Sequence, residues 1–153
     1  MFSTQSYFDS VKAEAHTAVT FEPWADDVGR FFESIDLLVV PSAEVDANPR
    51  VIPEAYAAGV PVIAFAAGGV PELLEHGMTG LLVSQPTASD LAQAILDAVQ
   101  DPGGLNAIAE RAFLRFQTRY TLGRFQSEVC DAVEEAARHQ RTPFHKADAN
   151  ARA

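Results

Sequence analysis

A chain of 153 residues, 48% hydrophobic and with mean hydropathy near zero, is large enough for one buried core and too small for two full α/β domains. Its net charge of −10 argues against nucleic acid as a partner, which demands clustered Lys and Arg, and its single Cys130 excludes an internal disulfide. No apolar run approaches the roughly 20 residues that span a bilayer, and the start MFSTQSYFDSVK lacks the basic and apolar parts of a signal peptide, so a cytoplasmic location is expected.

Taken in chain order, Tyr7, Phe8, Val11 and Ala15 recur at helical spacing and predict a short first helix. Ala18 to Phe21 reads as a strand, and Pro23-Trp24 with Asp26-Asp27 as a turn and an acidic helix start. Val28, Phe31, Phe32 and Ile35 are the buried stripe of that helix, and Trp24 is expected to pack as core under the strand end. Leu37 to Val40 is continuous and apolar, as a strand covered on both faces must be. A helix carrying Glu54 follows, closed by Gly59, and Pro61 opens a strand over Val62 to Phe65. Ala66-Ala67-Gly68-Gly69 then removes side chains, either because a ligand or another backbone comes close or because the turn is simply flexible.

Pro71 to His76 predicts one or two helical turns ended by Gly77, with His76 at a solvated helix end. Thr79 to Val83 is the next strand, and Thr87 or Ser89 caps a helix whose apolar face is Leu91, Ala94, Ile95, Ala98 and Val99. Asp101-Pro102-Gly103-Gly104 breaks the chain before helices from about Leu105 to Phe116 and from Thr121 or Leu122 to about Arg138. Arg111, Arg115, Arg119 and Arg124 recur at helical steps as a solvated basic face, and Cys130 is expected to be buried and inert. Residues 142–153 form a small, polar tail expected to be disordered. The whole predicts an α/β fold, a Rossmann-like parallel sheet with helices on both faces and a helical C-terminal third.

The chemistry concentrates between the strands at Leu37 and Pro61. Ligands of such sheets sit beyond the carboxyl ends of the strands. Asn48 is a good helix N-cap and Pro49 suits the first helical position, which would leave the N–H groups of Arg50, Val51 and Ile52 as an anion site. Pro53 either distorts that first turn or delays the regular helix until Pro53 itself. Asp46 lies on the loop and Glu54 about one turn into the helix, both able to face one crevice. Two carboxylates flanking free amides suit a ligand with hydroxyls at both ends and an anionic middle, the form of a nucleotide-diphosphate sugar. Arg50 is the single nearby cation, since Lys12 and Arg30 are the only others before Arg111.

These residues resemble the donor-binding segment of the family 4, or group 1, retaining glycosyltransferases of the GT-B fold. The pattern reads here as Asp46, Glu54-Ala55, Gly59, Pro61-Val62-Ile63, Gly68-Gly69-Val70-Pro71-Glu72 and Thr79-Gly80-Leu81-Leu82-Val83. Asp46 stands where the family usually has Glu, and Glu44 is nearby at a spacing that does not fit. The resemblance implies that Glu54 accepts hydrogen bonds from ribose hydroxyls, that Asp46 and loop amides, with Asn48, hold the sugar, and that Arg50, Val51 and Ile52 meet the diphosphate. It implies transfer of the glycosyl group with retention, no cofactor beyond the donor and no metal. It also implies that residues 1–141 are part of a C-terminal domain whose first two strands and N-terminal partner domain are absent. Transfer by this chain alone is therefore not expected, and membrane contact belongs, if anywhere, to the parent enzyme at the inner membrane face. The alternatives are a non-catalytic nucleotide-sugar-binding remnant, a GT-B isomerase of nucleotide sugars, and a receiver domain. The last is opposed by the absence of Lys between Lys12 and Lys146.

Overall fold

The computed structural model describes residues 4–43 and 46–139, which leaves Glu44 and the tail from residue 142 outside the described residues. The chain divides into two compact units, residues 1–34 and 35–153. The first holds helices α1 (Thr4–Glu14) and α2 (Val28–Glu33). The Asp27 carboxylate caps α2, accepting the Arg30 N–H at 3.1 Å, and Phe8 meets Phe21 edge to face with ring centroids 5.5 Å apart.

The expected strand at residues 18–21 does not form. His16 closes a turn there instead, its Nδ1 accepting the Ala18 N–H at 3.1 Å and its carbonyl the Val19 N–H at 2.9 Å. A strand needs a neighbour for its backbone groups, and the described residues of this unit contain none, so the local turn takes them. Trp24 is also not core: it is 89% exposed.

The second unit is built on a parallel sheet in the order β1 (Leu38–Val40), β2 (Val62–Phe65), β3 (Leu81–Val83), with Val39 opposite Ile63 and Ala64 opposite Leu82. All four residues of β2 are buried, as a central parallel strand requires. Ile63 and Phe65 pack with Val83 and Ala98 beneath helix α5 (Ala88–Gln100). Val62 and Ala64 alternate to the opposite face and are equally buried, and the crossovers that parallel pairing demands are helices α3 (Val51–Ala57) and α4 (Val70–Leu73). Ile52, Ala55 and Tyr56 of α3 are fully buried.

Local chemistry sets the helix ends. α3 closes in a Schellman motif, with Gly59 at φ +70° and the N–H groups of Gly59 and Val60 donating to Tyr56 and Ala55 carbonyls. Thr87 caps α5 by accepting the Asp90 N–H at 3.1 Å. Helix α6 (Pro102–Arg119) starts three residues earlier than expected, because the Asp101 carboxylate accepts the Gly104 N–H at 2.9 Å and Pro102 is preset for the first helical position. Helix α7 (Leu122–His139) follows, and Cys130 on it is exposed rather than buried. Among the described residues no helix is long and apolar enough to cross a membrane.

Candidate functional site

The loops after β1 and β2 leave the carboxyl ends of adjacent strands and meet there. The Gly69 N–H donates to the Asp46 carbonyl at 2.8 Å. Gly68 sits at φ +54°, where a Cβ would overlap the Asp46 carbonyl oxygen, and a Cβ at Gly69 would overlap the Ala47 carbonyl oxygen. The missing side chains of Gly68 and Gly69 therefore make room for another backbone, and the simple flexible turn is ruled out. The Asp46 carboxylate accepts the Asn48 N–H at 3.0 Å through Oδ1, an Asx turn that holds the loop in shape. Asp46 and Asn48 are both exposed.

Asn48 is not the helix cap. Arg50 occupies the N-cap position of α3, with no side-chain bond to the helix. Pro53 explains the shift: with Val51 as the first helical residue it falls third, where its missing N–H costs no intrahelical bond. The Ile52 N–H donates back to the Pro49 carbonyl at 3.2 Å, so among the described residues two of the three expected amides have no partner, those of Arg50 and Val51. Ile52 itself lies with its side chain fully buried in the core. Arg50 and Glu54 face each other one turn apart at 3.8 Å, with side chains 84% and 41% exposed, and such a pair adds little stability.

Asn48, Arg50 and Glu54 share the wall of a cavity of about 860 Å³ with Arg119, Tyr120 and Phe125 from the junction of α6 and α7. That volume lies within the range of small-molecule sites. Asp46, Val51 and Ile52 are not on this wall. The structure thus gathers one group of predicted residues in the cavity and leaves Asp46 on the loop beside it. Arg119 and Tyr120 escaped sequence reasoning. The helical spacing of the arginines was the signal available, read as a solvated face.

Two of those arginines turn inward. Arg111 donates from Nε to the Met78 carbonyl at 2.8 Å and from its terminal nitrogen to the Gly77 carbonyl at 3.1 Å. Arg115 reaches the Glu75 carboxylate and the Glu72 carbonyl, both at 3.4 Å. His76 is exposed as expected, and its Nδ1 accepts the Leu82 N–H at 3.0 Å, tying the turn to β3. Tyr56 braces the same segment from α3, its hydroxyl lying 3.1 Å from Thr79 Oγ1 and 3.3 Å from the Leu73 carbonyl oxygen. Burial raises the pKa of that hydroxyl.

Residues 4–101 match the family described as Glycosyl transferases group 1. The chain belongs to this family. This group 1 glycosyltransferase chain is 25% identical over 124 residues to the amylovoran biosynthesis glycosyltransferase AmsK of Erwinia amylovora, a match covering 78% of the chain and 30% of that protein. It is 35% identical over 107 residues to the D-inositol 3-phosphate glycosyltransferase of Pseudarthrobacter chlorophenolicus, covering 69% of the chain and 25% of the relative. Anabaena Alr3699/HepE in complex with UDP-glucose superposes with a TM-score of 0.81 at 26% identity, over 88% of this chain and 38% of that one. The glycosyltransferase chain therefore spans well under half the length of these relatives.

Proposed function

We propose that this chain forms part of the donor-binding domain of a retaining glycosyltransferase that takes a nucleotide-diphosphate sugar and passes the glycosyl group to an acceptor. The observation that carries the reading is the placement of Asn48, Arg50 and Glu54 on one cavity wall, with Asp46 on the adjoining loop at the carboxyl ends of β1 and β2. In this reading Glu54 accepts from the ribose hydroxyls and Asp46 from the sugar. Arg50, with the amides of Arg50 and Val51, faces the diphosphate. The likeness to a structure holding UDP-glucose supports the donor class. No cofactor is required beyond the donor, and the site of action is cytoplasmic.

The same reading makes the isolated chain inactive in transfer. A departing nucleotide diphosphate needs cations aimed at its phosphates, often the largest single catalytic term. Arg50 already faces Glu54, and Arg119 is the other arginine on the wall. The acceptor is held by a further segment that the longer relatives leave room for.

Calorimetric titration of the chain with UDP tests the donor reading. Hydrogen bonds to a charged group contribute about 1.5 to 3 kcal/mol, so Glu54→Ala should weaken UDP by roughly ten- to a hundredfold. Unchanged affinity would remove Glu54 from the site.

A further inference from the structure

We propose that Gly68 and Gly69 are positioning residues that hold Asp46 in register for the sugar, an inference that rests on the donor reading above. The turn after β2 is fixed at both ends. The Ala66 N–H donates to the Val83 carbonyl at 2.9 Å, anchoring it to β3, and the Val70 N–H donates to the Ala67 carbonyl at 3.1 Å as α4 begins. On this anchored turn lies the backbone of Asp46 and Ala47, from the loop after β1. It is joined by the 2.8 Å bond from the Gly69 N–H to the Asp46 carbonyl, in a contact so close that a methyl group at either glycine overlaps the loop backbone. Asp46 N would lie 2.9 Å from a Cβ at Gly68, so the Asp46 peptide is enclosed on its amide side as well as its carbonyl side.

With the backbone of Asp46 fixed, its carboxylate has one engaged oxygen and one free. Oδ1 accepts the Asn48 N–H, and Oδ2 has no partner among the described residues. The free oxygen belongs to an exposed residue beside the cavity that carries Glu54. The glycine pair therefore determines where that acceptor points without touching a ligand itself. Glu54 is carried by α3, whereas the atoms nearest a Cβ at Gly68 or Gly69 belong to Asp46 and Ala47. The two carboxylates are thus separable: disturbing the glycines should move the sugar contact and spare the ribose contact.

The test uses the full chain and its Gly69→Ala variant, with Gly59→Ala as the control. Gly59 has φ +70° and open space around its Cβ position, so it reports general destabilisation without a clash. Amide hydrogen exchange should show the Asn48 N–H losing protection about tenfold in Gly69→Ala and retaining it in Gly59→Ala. In titrations, Gly69→Ala should lower affinity for UDP-glucose about tenfold, toward that for UDP, and leave UDP unchanged. An unchanged Asn48 amide, or an equal loss for both ligands, overturns the proposal. A wild-type chain that binds UDP but prefers UDP-glucose in no degree overturns the sugar contact of Asp46, whereas binding of neither overturns the donor reading itself. Should Gly69→Ala fail to fold, the wild-type chain decides: the Gly69 and Asn48 amides must exchange at similar rates, because independent rates would mean that loop and turn move apart.

Discussion

The hydroxyl of Tyr56 has left water for a pocket where Thr79 and the Leu73 carbonyl are its partners, and burial holds its pKa above the ordinary value of 10.0. The folded chain keeps this proton more tightly than the unfolded chain does. The associated stability is complete below about pH 10 and is lost as pH rises from there through the higher folded value. Tyr56→Phe should cost about 1 kcal/mol at neutral pH through its lost hydrogen bonds. Urea melts from pH 8 to 11 should show wild type approaching the variant at the alkaline end, and parallel curves would contradict the burial. Gly59→Ala should cost about 1 kcal/mol for a different reason, because only glycine takes φ +70° without strain. The places of Asp46 on a loop and Glu54 in a helix were legible from the run between them, but the cavity wall takes Glu54 without Asp46. Arg119 was not legible, because sequence spacing places an arginine on a helix face without saying what the next helix brings against that face.

Elements were legible where their own residues decide them. The three strands are continuous apolar runs, and Thr87 marks the start of α5 with a side chain that reaches the third N–H beyond, whereas the same device at Asp101 was hidden by the Pro102-Gly103-Gly104 run that reads as a break. Thr87→Ala should therefore cost about 1 kcal/mol in a denaturant melt, the ordinary loss for such a cap. Elements failed where the decision belongs to a neighbour. Residues 18–21 have strand composition and, among the described residues of their unit, no strand to pair with, and Asn48 has cap chemistry that Pro53 overrides by setting where α3 can begin. Arg111 turned inward for the same kind of reason, since the turn at Gly77 presents carbonyls that only a long cation reaches. Replacing Arg111 with Met keeps the stem that packs and removes the donors. The variant should lose about 1 to 2 kcal/mol, and equal stability would make those bonds ornamental.

At the scale of the whole molecule, α7 carries a row of exposed apolar side chains. Leu122, Phe125, Val129 and Val133 follow at steps of three, four and four, so they lie along one side of the helix, and they are 44% to 70% exposed. An exposed apolar stripe of this kind drives association once screening at physiological salt has weakened the repulsion of a chain with net charge −10. Sedimentation velocity should show a weight-average coefficient that rises with concentration, and Phe125→Glu with Val129→Glu should abolish the rise. A wild-type chain that stays monomeric at the highest soluble concentration would show the stripe to be inert.

Trp24, the sole tryptophan, stands almost fully in solvent, in the unit apart from the sheet. Its indole already emits from water in the native state, so melting the sheet leaves its fluorescence near the unfolded spectrum, and tryptophan emission is a blind probe of folding here. The same silence makes it a clean sentinel: a blue shift appearing when another molecule is added would report something laid over that ring.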